Sequence, residues 1–195
     1  MPAAALAHKY VTYAEYLAKE AIATEKHEWY DGHVLAMAGG TPEHSYLSLA
    51  VGAELRAALR GGPCRPFESN QRLRSETTGL ATYADAVVIC GPMRPHPEDP
   101  DAATNPTVIV EVLSPSTEAY DRGQKFEHYR TFPSLRDFLL VTTGRNHVDH
   151  FTRNDDGTWT LRPVDAGGRI GLAGVEVVLD LDAIYEGVEI TRASG

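Results

Sequence analysis

The stretch TVIVEVL, residues 107–113, limits the fold of this chain more than any other. Val108, Ile109, Val110, Val112 and Leu113 place apolar side chains on both faces of one extended segment. That is the pattern of a strand covered above and below, so the chain is expected to build a sheet with elements packed on each side. Glu111 interrupts the run. An unpaired carboxylate there costs on the order of several kcal/mol unless a counter-charge, a cation or a proton offsets it. An acid in that position needs a reason.

Helix and strand signals surround it on both sides. TYAEYLAKEA is a helix opened by a Thr12–Glu15 capping box. HEWYDGHVLAM is two short strands around the Asp31-Gly32 hairpin signal. TPEHSYLSLAVGAELRAAL is a helix with Thr41 as cap and Pro42 at its first position. Its apolar stripe is Leu47, Val51, Leu55 and Leu59, and Gly61-Gly62 ends it. Strands are expected at CRPFE, QRLRS and DAVVIC, followed by a proline-rich loop, GPMRPHPEDPDAATNP, and the strand of Glu111. TEAYDRGQKFEHYRTF is helical, with Gly123 weakening its interior. DFLLVTT, HVDHFTR, TWTLRP and VEVVLD form an antiparallel-looking series closed by a short helix at LDAIYEG. This order predicts an α+β, or mixed α/β, fold around a central sheet.

With 195 residues and 43% hydrophobic side chains, the chain can bury one sizeable core. Nothing repeats and no linker stands out, so a single domain over residues 1–195 is expected, with residues 1–10 as a flexible N-terminal extension. MPAAALAHKY is too short and weakly apolar for a signal peptide, and no run has the length of a membrane span, so a cytoplasmic protein without membrane contact is expected. Cys64 and Cys90 make neither a disulfide framework nor a metal knuckle and are expected to be structural. A net charge of -9 argues against a broad electrostatic footprint on nucleic acid, though not against a local one. The basic residues Arg72, Arg74, Arg122, Lys125 and Arg130 are spaced as a solvated face.

Two acids stand out by position. YADAVVIC and TVIVEVL flank a loop centred near Glu98, so antiparallel pairing without a slip sets Asp85 opposite Glu111. Two carboxylates brought that close raise one another's pKa or share a divalent cation. Downstream, Asp121, Lys125 and His128 fall on one helical face; spacing alone favours an exposed Asp121–Lys125 pair of small energetic weight. Glu28 and His44 are ambiguous, since each also reads as an exposed polar residue on its own element.

The order HEWYDGHVLAM, TPEHSYL, TGLATYADAVVIC, PTVIVEVLSPSTEAYDRGQKFEHYR and FPSLRDFLLV resembles the Uma-two family of restriction endonucleases, a branch of the PD-(D/E)xK nuclease superfamily. The likeness runs from about Val11 to the strands near Trp159, and VEVLSPST followed by DRGQK is its most specific piece. The resemblance implies a restriction-endonuclease-like mixed sheet flanked by helices, with Asp85 and Glu111 as the paired acids. The motif lysine, displaced from the position of Leu113 to the next helix, is then Lys125. Glu28 matches the acid of the N-terminal motif and His44 the histidine of the following helix. Ala84 departs from the usual proline, a residue that sets backbone geometry and binds no metal.

The resemblance thus leads to the expectation of a Mg²⁺ site, open to Mn²⁺ as substitute, made of Asp85, Glu111 and the Val112 carbonyl. Lys125 is expected to orient the attacking water or stabilise charge on phosphorus. The expected substrate is nucleic acid, DNA in the first place, and the expected assembly a homodimer, because duplex cleavage needs two sites or two visits. The competing reading is a binding or regulatory module that keeps the nuclease fold without useful turnover, which the acidic composition favours. A buried charge with no scaffold purpose favours the enzyme.

Overall fold

The computed structural model describes residues 10–37 and 39–188. The expected N-terminal extension therefore lies outside the described residues, except for Tyr10. Helix α1 (Tyr13–Glu20) is opened by the Thr12–Glu15 capping box. β1 (His27–Tyr30) and β2 (His33–Ala36) form a hairpin. Asp31 and Gly32 turn it with φ of 46° and 79°, the left-handed pair that a two-residue turn between twisted strands demands. Gly32 also has no room for a side chain, because the Tyr10 ring lies on it. α2 (Pro42–Ala58) starts at the Thr41 cap and buries Leu47, Val51 and Leu55.

The next strands are β3 (Cys64–Glu68), β4 (Arg72–Arg74), β5 (Ala81–Tyr83), β6 (Ala86–Cys90), β7 (Pro95–His96), β8 (Asp99–Ala103) and β9 (Val108–Leu113). A helical segment of α3 (Glu118–Tyr120), a π turn at Asp121–Lys125 and α4 (Phe126–Tyr129) leads to β10 (Asp137–Thr142). β11 (His147–Arg153), β12 (Trp159–Asp165), β13 (Arg169–Leu172), β14 (Val177–Asp180) and α5 (Leu181–Ile184) complete the chain. One six-stranded sheet has the order β2-β1-β5-β4-β8-β7, and a second the order β12-β11-β10-β9-β6-β3.

β9 is buried at every residue. On one face of its sheet, Val108, Val110 and Val112 join Leu47, Val51 and Leu55 of α2 and the Ile170, Leu172 and Leu179 hairpin; on the other, Ile109 and Leu113 join Tyr129, Phe132 and Leu135. The two-sided covering read from TVIVEVL is thus present, and the fold is a mixed α/β one. β9 and β10 run parallel, which requires a crossover, and the helical segment supplies it.

Four expectations need correction. The proline-rich loop contains β7 and β8, and β8 pairs parallel with β4. The series after Pro133 begins with a strand parallel to its predecessor; β10-β11-β12 is antiparallel as expected, but β14 leaves that sheet and pairs antiparallel with β13, a strand the sequence did not signal. Cys64 and Cys90 are register partners across β3 and β6 and are joined as a disulfide. Most of the basic residues are not a solvated face: Arg74 and Lys125 are buried, and Arg72 sits in a short ion pair with Asp99.

Candidate active site

Four elements and one crossing segment converge on Glu111. β6 pairs with β9 through Ala86↔Val110, Val87↔Ile109 and Val88↔Val108. One step further along this register, Asp85 stands opposite Glu111, as the spacing about Glu98 predicts. Glu28 comes from the middle of β1, His44 from the first turn of α2, and Lys125 from the end of the π turn. Gly40 leaves room for the His44 ring, which a side chain there would strike.

Lys125 is the hub. Its ammonium lies 2.9 Å from Glu111 Oε1, 3.2 Å from Glu28 Oε1 and 3.6 Å from Asp121 Oδ1. It also donates to the Tyr83 carbonyl at 3.3 Å. Each carboxylate has further donors. Tyr129 OH donates to Glu111 Oε1 at 2.6 Å, and Tyr120 OH and Thr82 Oγ1 donate to Glu28 at 2.7 and 2.5 Å. Asp85 Oδ2 accepts the Val112 amide at 2.7 Å and faces His44 Nε2 at 3.3 Å, while Oδ1 accepts from Ser48 at 3.3 Å. Glu28, Glu111, Asp121 and Lys125 are each no more than 5% exposed, whereas the side chains of Asp85 and His44 are 15% and 20% exposed. The site therefore opens at its Asp85–His44 end and closes around Lys125. The cavities of about 110 and 410 Å³ that border β3 lie elsewhere.

The electrostatics come from one cation among several acids. Burial pushes the Glu111 carboxyl up to about 8, against the pull of Lys125 and with Asp85 and Asp121 adding repulsion. Burial raises Asp121 as well, against the same lysine. For Lys125, burial works downward, but Glu111, Tyr129, Glu28 and Asp121 overcome it and hold the ammonium well above its usual range. Burial also works against the Asp85 anion, yet hydrogen bonds from His44 and the Val112 amide keep its pKa low. His44 is raised, first by its bond to Asp85 and against its own burial.

The five residues singled out from the sequence fall in two adjoining groups, Glu28, Glu111 and Lys125 around the ammonium and Asp85 with His44 beside them, joined through the backbone of Val112 next to Glu111. The exposed readings of Glu28 and of the Asp121–Lys125 pair do not hold, because both lie in the interior. Sequence reasoning did not select Tyr120, Tyr129, Thr82, Ser48 or the depth of Asp121. A signal for Tyr129 existed, since it follows Lys125 by four residues and so returns to the same helical face. Val112, expected as a ligand through its carbonyl, turns its amide to Asp85.

Among the described residues no group of three or more His, Cys, Asp and Glu side chains is arranged to hold a metal ion. Asp85, Glu111 and the Val112 carbonyl, which His44 also approaches as a donor, are nonetheless the hard oxygens that suit a small divalent cation. Acidic charge exceeds basic charge around them, which fits such an ion.

A family model described as "Uma2: Putative restriction endonuclease" matches residues 13–183. The Synechocystis protein slr1290, described as uncharacterized, is 38% identical over 174 residues, covering 89% of this chain and 90% of its own. A second uncharacterized Synechocystis protein, sll1609, is 34% identical over 153 residues, covering 78% of this chain and 86% of its own. The crystal structure of "a putative nuclease belonging to DUF820" from Anabaena variabilis superposes with a TM-score of 0.73 at 13% identity, covering 92% of this chain and 99% of the other. At that identity the likeness is one of fold.

Proposed function

Because the chain belongs to the Uma2 family, whose description is that of restriction endonucleases, we propose that the Glu111–Lys125 site hydrolyses DNA phosphodiester bonds with the help of Mg²⁺. The observation that carries this reading is the surplus of buried acid: Glu28, Glu111 and Asp121 surround the single ammonium of Lys125 within 4 Å, with Asp85 next to them. A purely structural network gains nothing from that surplus, because each buried acid either stays charged at a cost or, as burial drives Glu111, takes up a proton. Asp85, Glu111 and the Val112 carbonyl would hold the ion. Once bound, it would draw charge from the phosphodiester and make water a stronger acid.

The chain's own groups do the rest. His44, Ser48 and the Val112 amide orient Asp85, and Tyr129 with Lys125 fixes one oxygen of Glu111. Lys125, held charged by its carboxylates, offsets negative charge that develops on the phosphoryl oxygens. Glu28 shares that lysine and so sets its position. A duplex cut needs two sites or two visits, and a homodimer would supply two sites.

Cleavage of plasmid and single-stranded DNA at low salt, with Mg²⁺ or Mn²⁺, tests the activity. Wild type is expected to cut, and Glu111→Ala and Asp85→Asn to fall by at least about 10²-fold. Titration calorimetry with Mn²⁺ tests the ion site separately. Identical Mn²⁺ binding by wild type and Glu111→Ala removes the proposed ligands, and a wild type that cuts nothing under any metal leaves a nuclease-fold binding module. Light scattering at micromolar concentration is expected to report twice the 21.3 kDa chain mass; a monomer refutes the dimer.

A further inference from the structure

Residues 82–85 cross from the first sheet to the second, and three groups of that crossing reach the site. Thr82 Oγ1 binds Glu28, the Tyr83 carbonyl accepts from Lys125, and Asp85 binds the Val112 amide. What holds the crossing in place is therefore a question about the site. β4 pairs with β5 along its length, but on the β1 side pairing is reduced to Trp29↔Ala81, which stops two residues short of Tyr83.

Side chains alternate along a strand. Thr82 points to the site, so Tyr83 points the other way, into the face covered by α1. There its phenol oxygen accepts from Arg72 Nη1 at 2.8 Å and donates to Glu20 Oε1 at 3.1 Å. Both partners are anchored. Arg72 grips Asp99 through two donors at 2.6 and 2.8 Å, and Asp99 also accepts from Tyr13 at 2.6 Å. Glu20 accepts the His27 amide at 2.9 Å and faces the His27 ring with its other oxygen at 2.9 Å. Tyr83 thus has its phenol in one buried network and its carbonyl in the other.

We propose that Tyr83 is a positioning residue whose phenol, clamped between Arg72 and Glu20, fixes the backbone that presents its carbonyl to Lys125 and sets Asp85 opposite Glu111. It touches no reacting atom through its side chain. Its influence reaches the chemistry only through residues 82–85. This assignment rests on the proposed nuclease reading for its activity consequence, but not for its effect on Lys125.

The variant is Tyr83→Phe, which removes one oxygen and keeps the ring. The first readout is the ¹³Cε resonance of Lys125 in lysine-labelled full-length protein, assigned with Lys125→Arg. Tyr83→Phe is expected to shift it, and Glu20→Ala, which removes the phenol's acceptor along with the His27 contacts but keeps the Arg72 donor, to shift it in the same direction by less. Tyr13→Phe is the control: it takes an equally buried hydroxyl from the same network without touching residues 82–85, and is expected to leave Lys125 unmoved. In cleavage assays, kcat of Tyr83→Phe is expected to fall about 10-fold with KM unchanged, as for other residues that orient a reacting group from behind. An unmoved Lys125 resonance in Tyr83→Phe and Glu20→Ala overturns the assignment. So does a Tyr13→Phe shift of the same size, which would mean general loosening. If wild type does not cleave at all, the nuclease reading fails while the Lys125 resonance still decides the role of Tyr83.

Discussion

Two buried polar networks lie on opposite faces of the first sheet, and they are built on different principles. On the α1 face, Arg72 meets Asp99 through two donors and spends a third on the Tyr83 phenol, while Tyr13 completes Asp99. Arg72 and Asp99 match there one to one, while Glu20 is shared by the Tyr83 phenol and His27, and the buried Arg74 lies over the Tyr13 and Trp29 rings. On the other face, one ammonium serves Glu28, Glu111 and Asp121, with Asp85 close by. The Arg72–Asp99 pair is what burial of charge requires in order to be tolerated, and the second network holds more acid than its one ammonium matches, so burial drives Glu111 and Asp121 toward their protonated forms. The difference separates a network centred on a matched ion pair from one that, in the proposed reading, is arranged around a divalent cation.

The largest test of that contrast is removal of each cation. Lys125→Met leaves the buried acids without a counter-ion and is expected to lower stability by about 3–5 kcal/mol, read from urea denaturation without metal. Adding Glu111→Gln should recover only part of this, because Glu28 and Asp121 stay unpaired. Arg72→Met is also expected to be destabilising, but there Asp99→Asn should recover most of the loss, since the pair was balanced. Equal recovery in both double variants would erase the distinction, and a Lys125→Met effect under about 1 kcal/mol would return Lys125 to the exposed pair that its spacing suggested.

The same contrast has opposite signs in pH. Glu111 has a folded pKa near 8, above its unfolded value of about 4.3. Between those values the folded state binds the extra proton, so stability falls as pH rises through this window. Asp99 is the reverse case. Burial works upward on it, but Arg72 and Tyr13 hold its pKa below the usual carboxylate range. Its contribution is complete above the unfolded pKa and is lost as pH falls through the folded one. Urea midpoints from pH 2 to 9, in chelator, should show Glu111→Gln flattening the decline toward pH 8 and Asp99→Asn flattening the acid limb. A Glu111→Gln profile parallel to wild type would mean that Glu111 is not the group that titrates.

Periodicity and local signals made much of this legible in the sequence. The capping box, the Asp31-Gly32 turn and the α2 stripe come from short-range spacing, and the structure has all three; the register about Glu98 runs to Ala86↔Val110, one step from the Asp85–Glu111 position. Long-range partners were not legible. Nothing near Glu28 signals Tyr120, which is 92 residues away in the chain, and nothing near Lys125 fixes the depth at which its helix packs. The π turn at Asp121–Lys125 also escaped, because DRGQK reads as ordinary helix weakened by Gly123. The Cys64–Cys90 bond depends on the β3–β6 register, which two isolated cysteines do not reveal.

The smallest expected effect separates the networks most cleanly, because stability should not distinguish them. Each network has a phenol bound to a buried acid: Tyr13 on Asp99 and Tyr129 on Glu111, both at 2.6 Å. Conversion of either tyrosine to phenylalanine removes one hydrogen bond and keeps the packed ring, so each is expected to lower stability by about 1–2 kcal/mol. Mn²⁺ affinity should divide them. Tyr13→Phe alters an acid already matched by Arg72 on the other face of the first sheet, and should bind Mn²⁺ as wild type does. Tyr129→Phe frees the Glu111 oxygen that Tyr129 and Lys125 share, letting the carboxylate turn, and should weaken Mn²⁺ binding by about 10-fold, as loss of an orienting hydrogen bond behind a ligand does. Titration calorimetry at constant pH measures both. If the two variants bind Mn²⁺ alike, the surplus acid of the second network is not a metal site, and the contrast between the networks is one of charge alone.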